Sequence, residues 1–133
     1  MAEIAETCPG NVDMSDAISV INVRDVLLVT VPPDPTDSVV ADLQQQVLHA
    51  MAKFRSTGAI LDISGVEIMD SFFARTLTDT VKMVMVMGGH AVVTGMRPAV
   101  AITAMELGLR FDGVMSALNV NRALDLLERI NAS

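Results

Sequence analysis

Ser71 stands directly after Asp70 and in front of a long helical pattern, Phe73, Leu77, Val81, Val84 and Met87. Upstream lies the apolar run Ala59-Ile60-Leu61, closed by Asp62 and followed by the turn residues Ser64 and Gly65. Asp and Ser both accept hydrogen bonds from the unpaired N–H groups of a first helical turn. The pattern therefore places Ser71 at a helix N-terminus, just after a strand, with its hydroxyl near water. Backbone N–H groups and the helix dipole favour negative charge there, so an added phosphate would be tolerated. Ser71 is either a phosphate acceptor or a cap that does nothing else, and the residues by themselves favour the cap.

Other groups carry less. Ser64-Gly65-Val66-Glu67 matches a capping box, but Val66 to Met69 does not continue as a helix, so the match is a decoy. A hydrolase built on Ser64 or Ser71 would need a base and an oxyanion site. The two histidines, His49 and His90, fall in a helical and a strand pattern and read as structural. No Walker A loop, dinucleotide fingerprint or nucleophile elbow is present. A receiver domain would need paired acids after its first strand and a lysine after its last. Prolines follow Val31 and no lysine lies beyond Lys82, so that class is rejected.

The 133 residues suit one domain with a real core, and 51% of them are apolar. The formal net charge of −7 argues against binding nucleic acid or anionic membrane through a basic surface. Trp and Tyr are absent, which removes the usual platforms for stacking bases. Cys8 is the only cysteine, so neither an internal disulfide nor a cysteine zinc site is expected, and no cofactor or metal is called for. No apolar run approaches the roughly 20 residues of a membrane span, and no signal peptide is visible. A cytoplasmic location is expected.

The elements that must position Ser71 are legible in order. Residues 1–16 lack periodicity and read as a flexible N-terminal tail, in which Met14 is an alternative start. Ala17–Asn22 and Val26–Val31 read as a strand pair around Arg24-Asp25, ended by Pro32, Pro33 and Pro35. Asp37 is expected to cap a helix with Val40, Leu43, Val47, Met51 and Phe54 on one face, stopped by Gly58. A strand at Ala59–Asp62, the helix from Ser71 to the Gly88-Gly89 stop, and a strand at His90–Thr94 follow. Pro98 opens a third helix to about Leu107. Phe111–Met115 reads as a weak strand, and Asn119 caps a last helix with Val120, Ala123, Leu124, Leu127 and Ile130 inward. The methionines at 83, 85, 87, 96, 105 and 115 read as core filling, with a minority left as an adaptable surface. Alternating strands and helices predict an α/β domain over residues 17–133: a mixed, mostly parallel sheet with an N-terminal strand pair and about four helices.

Two segments in combination, Asp62-Ile63-Ser64-Gly65-Val66-Glu67-Ile68-Met69-Asp70-Ser71-Phe72 and Thr94-Gly95-Met96-Arg97-Pro98-Ala99-Val100-Ala101, the latter continuing to Glu106-Leu107-Gly108-Leu109, resemble STAS domains. This is the family of anti-sigma factor antagonists, and the chain looks most like its stressosome group, in particular the small S-type (RsbS-like) members. The resemblance covers about Ala17 to Ile130. It implies a non-enzymatic scaffold that holds a kinase, with Ser71 as the phosphorylation site of a dedicated serine kinase, which reverses the order of the two readings of Ser71. It implies as partners an RsbT-like serine/threonine kinase, RsbR-type STAS paralogues in a large assembly, a PP2C-type phosphatase that resets the system, and a homodimer within that assembly. Asp70, Phe72 and Arg75 are the expected partner-binding rim. Thr103 lies in the region of a second phosphosite known in R-type members. Phe72 and Phe73 depart from free-standing antagonists of the RsbV and SpoIIAA type, which usually carry small residues after the phosphoserine. The alternatives are such a free-standing antagonist binding an anti-sigma kinase, and, in another class, a small serine hydrolase or nucleotide-binding enzyme.

Overall fold

The computed structural model describes residues 18–107 and 114–132. The expected tail over 1–16, with Cys8 and Met14, and the Phe111 end of the weak strand lie outside the described residues. Strands β1 (Ser19–Val23) and β2 (Val26–Thr30) form an antiparallel hairpin. Its turn residues Arg24 and Asp25 both have positive φ, 53° and 67°. That is the primed turn whose twist matches a two-residue hairpin. Helix α1 (Asp37–Phe54), β3 (Gly58–Asp62), α2 (Ser71–Val86), β4 (His90–Thr94), α3 (Pro98–Glu106), β5 (Met115–Ala117) and α4 (Val120–Ala132) follow. The sheet order is β1-β2-β3-β4-β5, and every pair after the hairpin is parallel.

Side-chain alternation along the strands splits the core in two. Leu27, Val29, Ala59, Leu61, Ala91 and Val93 pack on one face with the buried stripes of α1, α2 and α3. Val26, Ile60 and Val92 point the other way and meet Ala123 and Leu127 of α4. The sheet is thus covered on both faces, which explains the unbroken apolar runs of β3 and β4.

Some boundaries move by a residue or two. Thr36, not Asp37, caps α1: its hydroxyl accepts from the Val39 N–H at 3.2 Å. Asp37 becomes the first helical residue, where its charge still suits the dipole. Gly58 does not stop α1. Arg55 does, in the left-handed conformation at φ 53°, with the Ser56 N–H bonded back to the Met51 carbonyl at 3.2 Å. Gly58 instead starts β3, where a side chain would press on Leu127. The last strand sits later than expected, because it is Met115–Ala117 that pairs with Val92–Thr94. The end of α2 is as read: Gly88 at φ 94° lets its own N–H and that of Gly89 return to the Met85 and Val84 carbonyls. Asn119 caps α4 through the Arg122 N–H at 2.9 Å. Among the described residues no helix is long and apolar enough to cross a membrane.

Candidate functional site

The site grows from the aligned C-terminal ends of two parallel strands. Asp62 of β3 lies opposite Thr94 of β4. The Asp62 carboxylate accepts from the Ser64 N–H at 3.1 Å and from the Thr94 hydroxyl at 3.4 Å. The Ile63 N–H donates to the Thr94 carbonyl at 3.0 Å, and the Val66 N–H folds back on the Ile63 carbonyl at 3.0 Å. These bonds turn the chain out of β3 without a helix, which confirms that the capping-box pattern at Ser64 is a decoy. Ile63, Val66 and Met69 then dip into the core and pin the loop from inside, at 1%, 0% and 1% exposure.

At the loop's end Asp70 caps α2. It is extended, and its carboxylate accepts from the Phe73 N–H at 2.8 Å. Ser71 is the first helical residue and is exposed. The capping duty therefore belongs to Asp70, and the Ser71 hydroxyl is not spent on it. A step of about 100° per residue sends the two phenylalanines apart: Phe73 is buried at 3% exposure while Phe72 keeps 43%. Arg75 is also exposed, in the same first turns. Asp70, Ser71, Phe72 and Arg75 thus share one accessible helix start. Asp70→Ala should cost about 1 kcal/mol through the lost cap. A melting temperature lower by a few degrees, with Ser71 still accessible to modification, is the expected result.

The second quoted segment is the outer wall of the same site. Gly95 has φ 76°, and a Cβ there would stand 2.5 Å from the Ser64 Cβ and 2.8 Å from its Cα. Arg97 reaches across, donating from Nε to the Ser64 carbonyl at 3.0 Å, and lies 3.9 Å from the Glu67 carboxylate. The ion pair is 49% and 74% exposed on its two sides, so solvent leaves it at most about 1 kcal/mol. The guanidinium–carbonyl bond is the stronger of the two contacts.

Thr103 lies on α3, half-buried, with its hydroxyl donating to the Ala99 carbonyl at 3.0 Å. That bond is an ordinary back-bond within the helix. His49 is exposed on α1. His90 opens β4, four residues or about 13 Å from Thr94 at the other end of the strand. The imidazole of His90 is therefore not at the Ser64–Ser71 end of the sheet. Among the described residues no group of three or more His, Cys, Asp and Glu could hold a metal. Sequence reasoning missed Ile68, which stands 81% exposed between Glu67 and the buried Met69. Only the loop geometry turns it outward.

The family model for the STAS domain matches residues 17–127. The chain belongs to the STAS domain family. This STAS domain is 35% identical over 79 residues to the RsbT co-antagonist protein RsbRC of Bacillus subtilis (strain 168). That match covers 59% of the chain and 28% of RsbRC, so the chain spans under a third of that relative. RsbS of Moorella thermoacetica, solved as a serine-to-glutamate variant, is 31% identical with a TM-score of 0.78, over 87% of this chain and 98% of that one. A chain from the stressosome, described as a signal integration and transduction hub, is 30% identical with a TM-score of 0.72, over 86% and 99%. The relatives are regulatory proteins by name.

Proposed function

We propose that this STAS domain is a scaffold that sequesters a kinase in a stressosome-type assembly, and that phosphorylation of Ser71 switches it. The observation that carries the reading is the division of labour at the start of α2: Asp70 makes the cap, and Ser71 keeps an exposed hydroxyl. In this reading the chain is a substrate and a partner, not a catalyst. The Ser71 oxygen attacks the γ-phosphorus of ATP, its bond to the β–γ bridging oxygen breaks, ADP leaves, and the kinase takes the hydroxyl proton. The product carries about −1.5 to −2 charges at a helix N-terminus, where first-turn N–H groups and the dipole accommodate it. The adjacent Asp70 carboxylate repels it outward, toward whatever is bound.

The partners in this reading are an RsbT-like serine/threonine kinase, RsbR-type STAS paralogues, a second copy of this chain, and a PP2C-type phosphatase that restores the hydroxyl. The assembly is cytoplasmic. Support comes from the likeness to RsbRC, whose name makes it a co-antagonist of RsbT, and to RsbS and a stressosome chain at 30–31% identity. The same fold in a serine-to-glutamate variant of RsbS is consistent with a domain that bears added negative charge.

A free-standing anti-sigma factor antagonist, binding one anti-sigma kinase, is the neighbouring reading. Phe72 and Phe73 directly after Ser71, where free-standing antagonists usually carry small residues, favour the assembly instead. Size-exclusion chromatography of the chain mixed with an RsbR-type paralogue separates them. A particle of megadalton scale is expected, and persistent small species would support the free-standing antagonist.

A further inference from the structure

We propose that Arg97 is a positioning residue that holds the Ile63–Asp70 loop in shape, so that Ser71 and the exposed Ile68 and Phe72 are offered to a kinase as one preformed surface. The proposal rests on the reading of Ser71 as the acceptor.

The residue breaks a local rule. Arg97 occupies the N-cap position of α3, with φ −75° and ψ 148°, and makes no capping bond to its own helix. Arginine is not a capping type, and a cation at a helix N-terminus opposes the dipole. A local rule broken without local gain points to a gain elsewhere. Here the gain lies across the gap: Nε on the Ser64 carbonyl at 3.0 Å and the guanidinium near Glu67 at 3.9 Å. Pro98 follows at the first helical position and fixes the backbone from which Arg97 reaches.

The loop has need of an outer tie. It runs eight residues without helix or strand. Ile63, Val66 and Met69 anchor it inward, but Glu67 and Ile68 lie on the solvent side, and Ile68 is 81% exposed. Arg97 holds the loop from outside at two points, Ser64 and Glu67, the second directly before Ile68. Gly95, packed on Ser64, keeps the two loops close enough for the reach. A loop held in its binding shape spares the partner the cost of ordering it, which lowers KM for the protein substrate without altering the phosphoryl-transfer step.

The test compares wild type, Arg97→Ala and Arg97→Lys as full chains, by amide hydrogen exchange and by steady-state phosphorylation with the cognate serine kinase and ATP. For Arg97→Ala, exchange over residues 64–70 should rise several-fold while β3 and β4 amides stay protected. KM for the chain should rise about tenfold with kcat within about twofold. Arg97→Lys keeps the charge toward Glu67 but loses the Nε donor, and should fall between the two. Equal KM for wild type and Arg97→Ala, or a fall in kcat alone, overturns the positioning role. Wild-type behaviour of Arg97→Lys overturns the Ser64 bond as its carrier. Absence of phosphate from Ser71 in the wild type overturns the acceptor reading, and the positioning role with it. Should Arg97→Ala fail to fold, the exposed Glu67→Gln and the Arg97→Lys variant give the same readouts.

Discussion

Phosphorylation of Ser71 is expected to weaken kinase binding by one to two orders of magnitude while the fold stays intact. The fold survives because the modified oxygen sits on the first residue of α2, exposed and without a capping role. The Asp70–Phe73 bond that starts the helix is untouched, and the dipole is favourable to the new charge. Binding suffers because the same charge appears next to exposed Phe72, an apolar side chain that a partner would cover there. Burying it dry beside a phosphate leaves the phosphate oxygens unsolvated, and two or three contacts of about 1 kcal/mol each are lost. At about 1.4 kcal/mol per tenfold, that is one to two orders of magnitude. Ser71→Ala should fold, resist modification and keep holding the kinase. Ser71→Asp carries about half the charge and should release it incompletely. A pull-down of kinase on wild type, phosphorylated protein and Ser71→Ala reads all three. Equal retention by all of them would remove the switch.

Gly95→Val is expected to be among the most damaging single changes near the site. At φ 76° a β-branched residue is strained whatever the space around it. The space is also taken, since the new Cβ would meet the Ser64 Cβ at 2.5 Å and backbone atoms of Ser64 at 2.8 and 3.0 Å. Backbone cannot rotate aside as a flexible side chain can, so the β3–α2 loop must move. Strain and displacement together should cost about 3 kcal/mol, or roughly a 10 °C lower melting temperature for a domain of this size. Phosphate uptake at Ser71 should fall further than the folded fraction does, because the displaced loop is the one that leads to Ser71. A melting temperature within a degree or two of wild type would contradict the close packing of these two loops.

The architecture was legible because its signals are local. Phe73, Leu77, Val81 and Val84 repeat at helical spacing, and all are buried on α2. Asp70 before Ser71 announced the helix start, although both residue types can cap and only the backbone tells them apart. The same ambiguity explains Thr36 and Asp37, adjacent residues of which either could have capped α1. Arg55 in a left-handed conformation carried no sequence signal, since glycine is the usual occupant and Gly58 stood nearby. The second wall of the site was visible as a pattern, Thr94-Gly95-Met96-Arg97-Pro98, but not as physics. The grip of Arg97 on Ser64 spans 33 residues and depends on the in-register pairing of Asp62 with Thr94. Periodicity cannot report such a register. Ile68 was hidden for a related reason: three buried apolar residues share its loop, and which one faces water follows from the turn at Ile63–Val66.

The most direct measurement is phosphosite mapping of the intact chain after incubation with an RsbT-like kinase and ATP. One phosphate on Ser71 of the wild type, and none on Ser71→Ala, is the expected result. Phosphate on Thr103 or another residue while Ser71 stays bare would contradict the assignment of the switch to the start of α2.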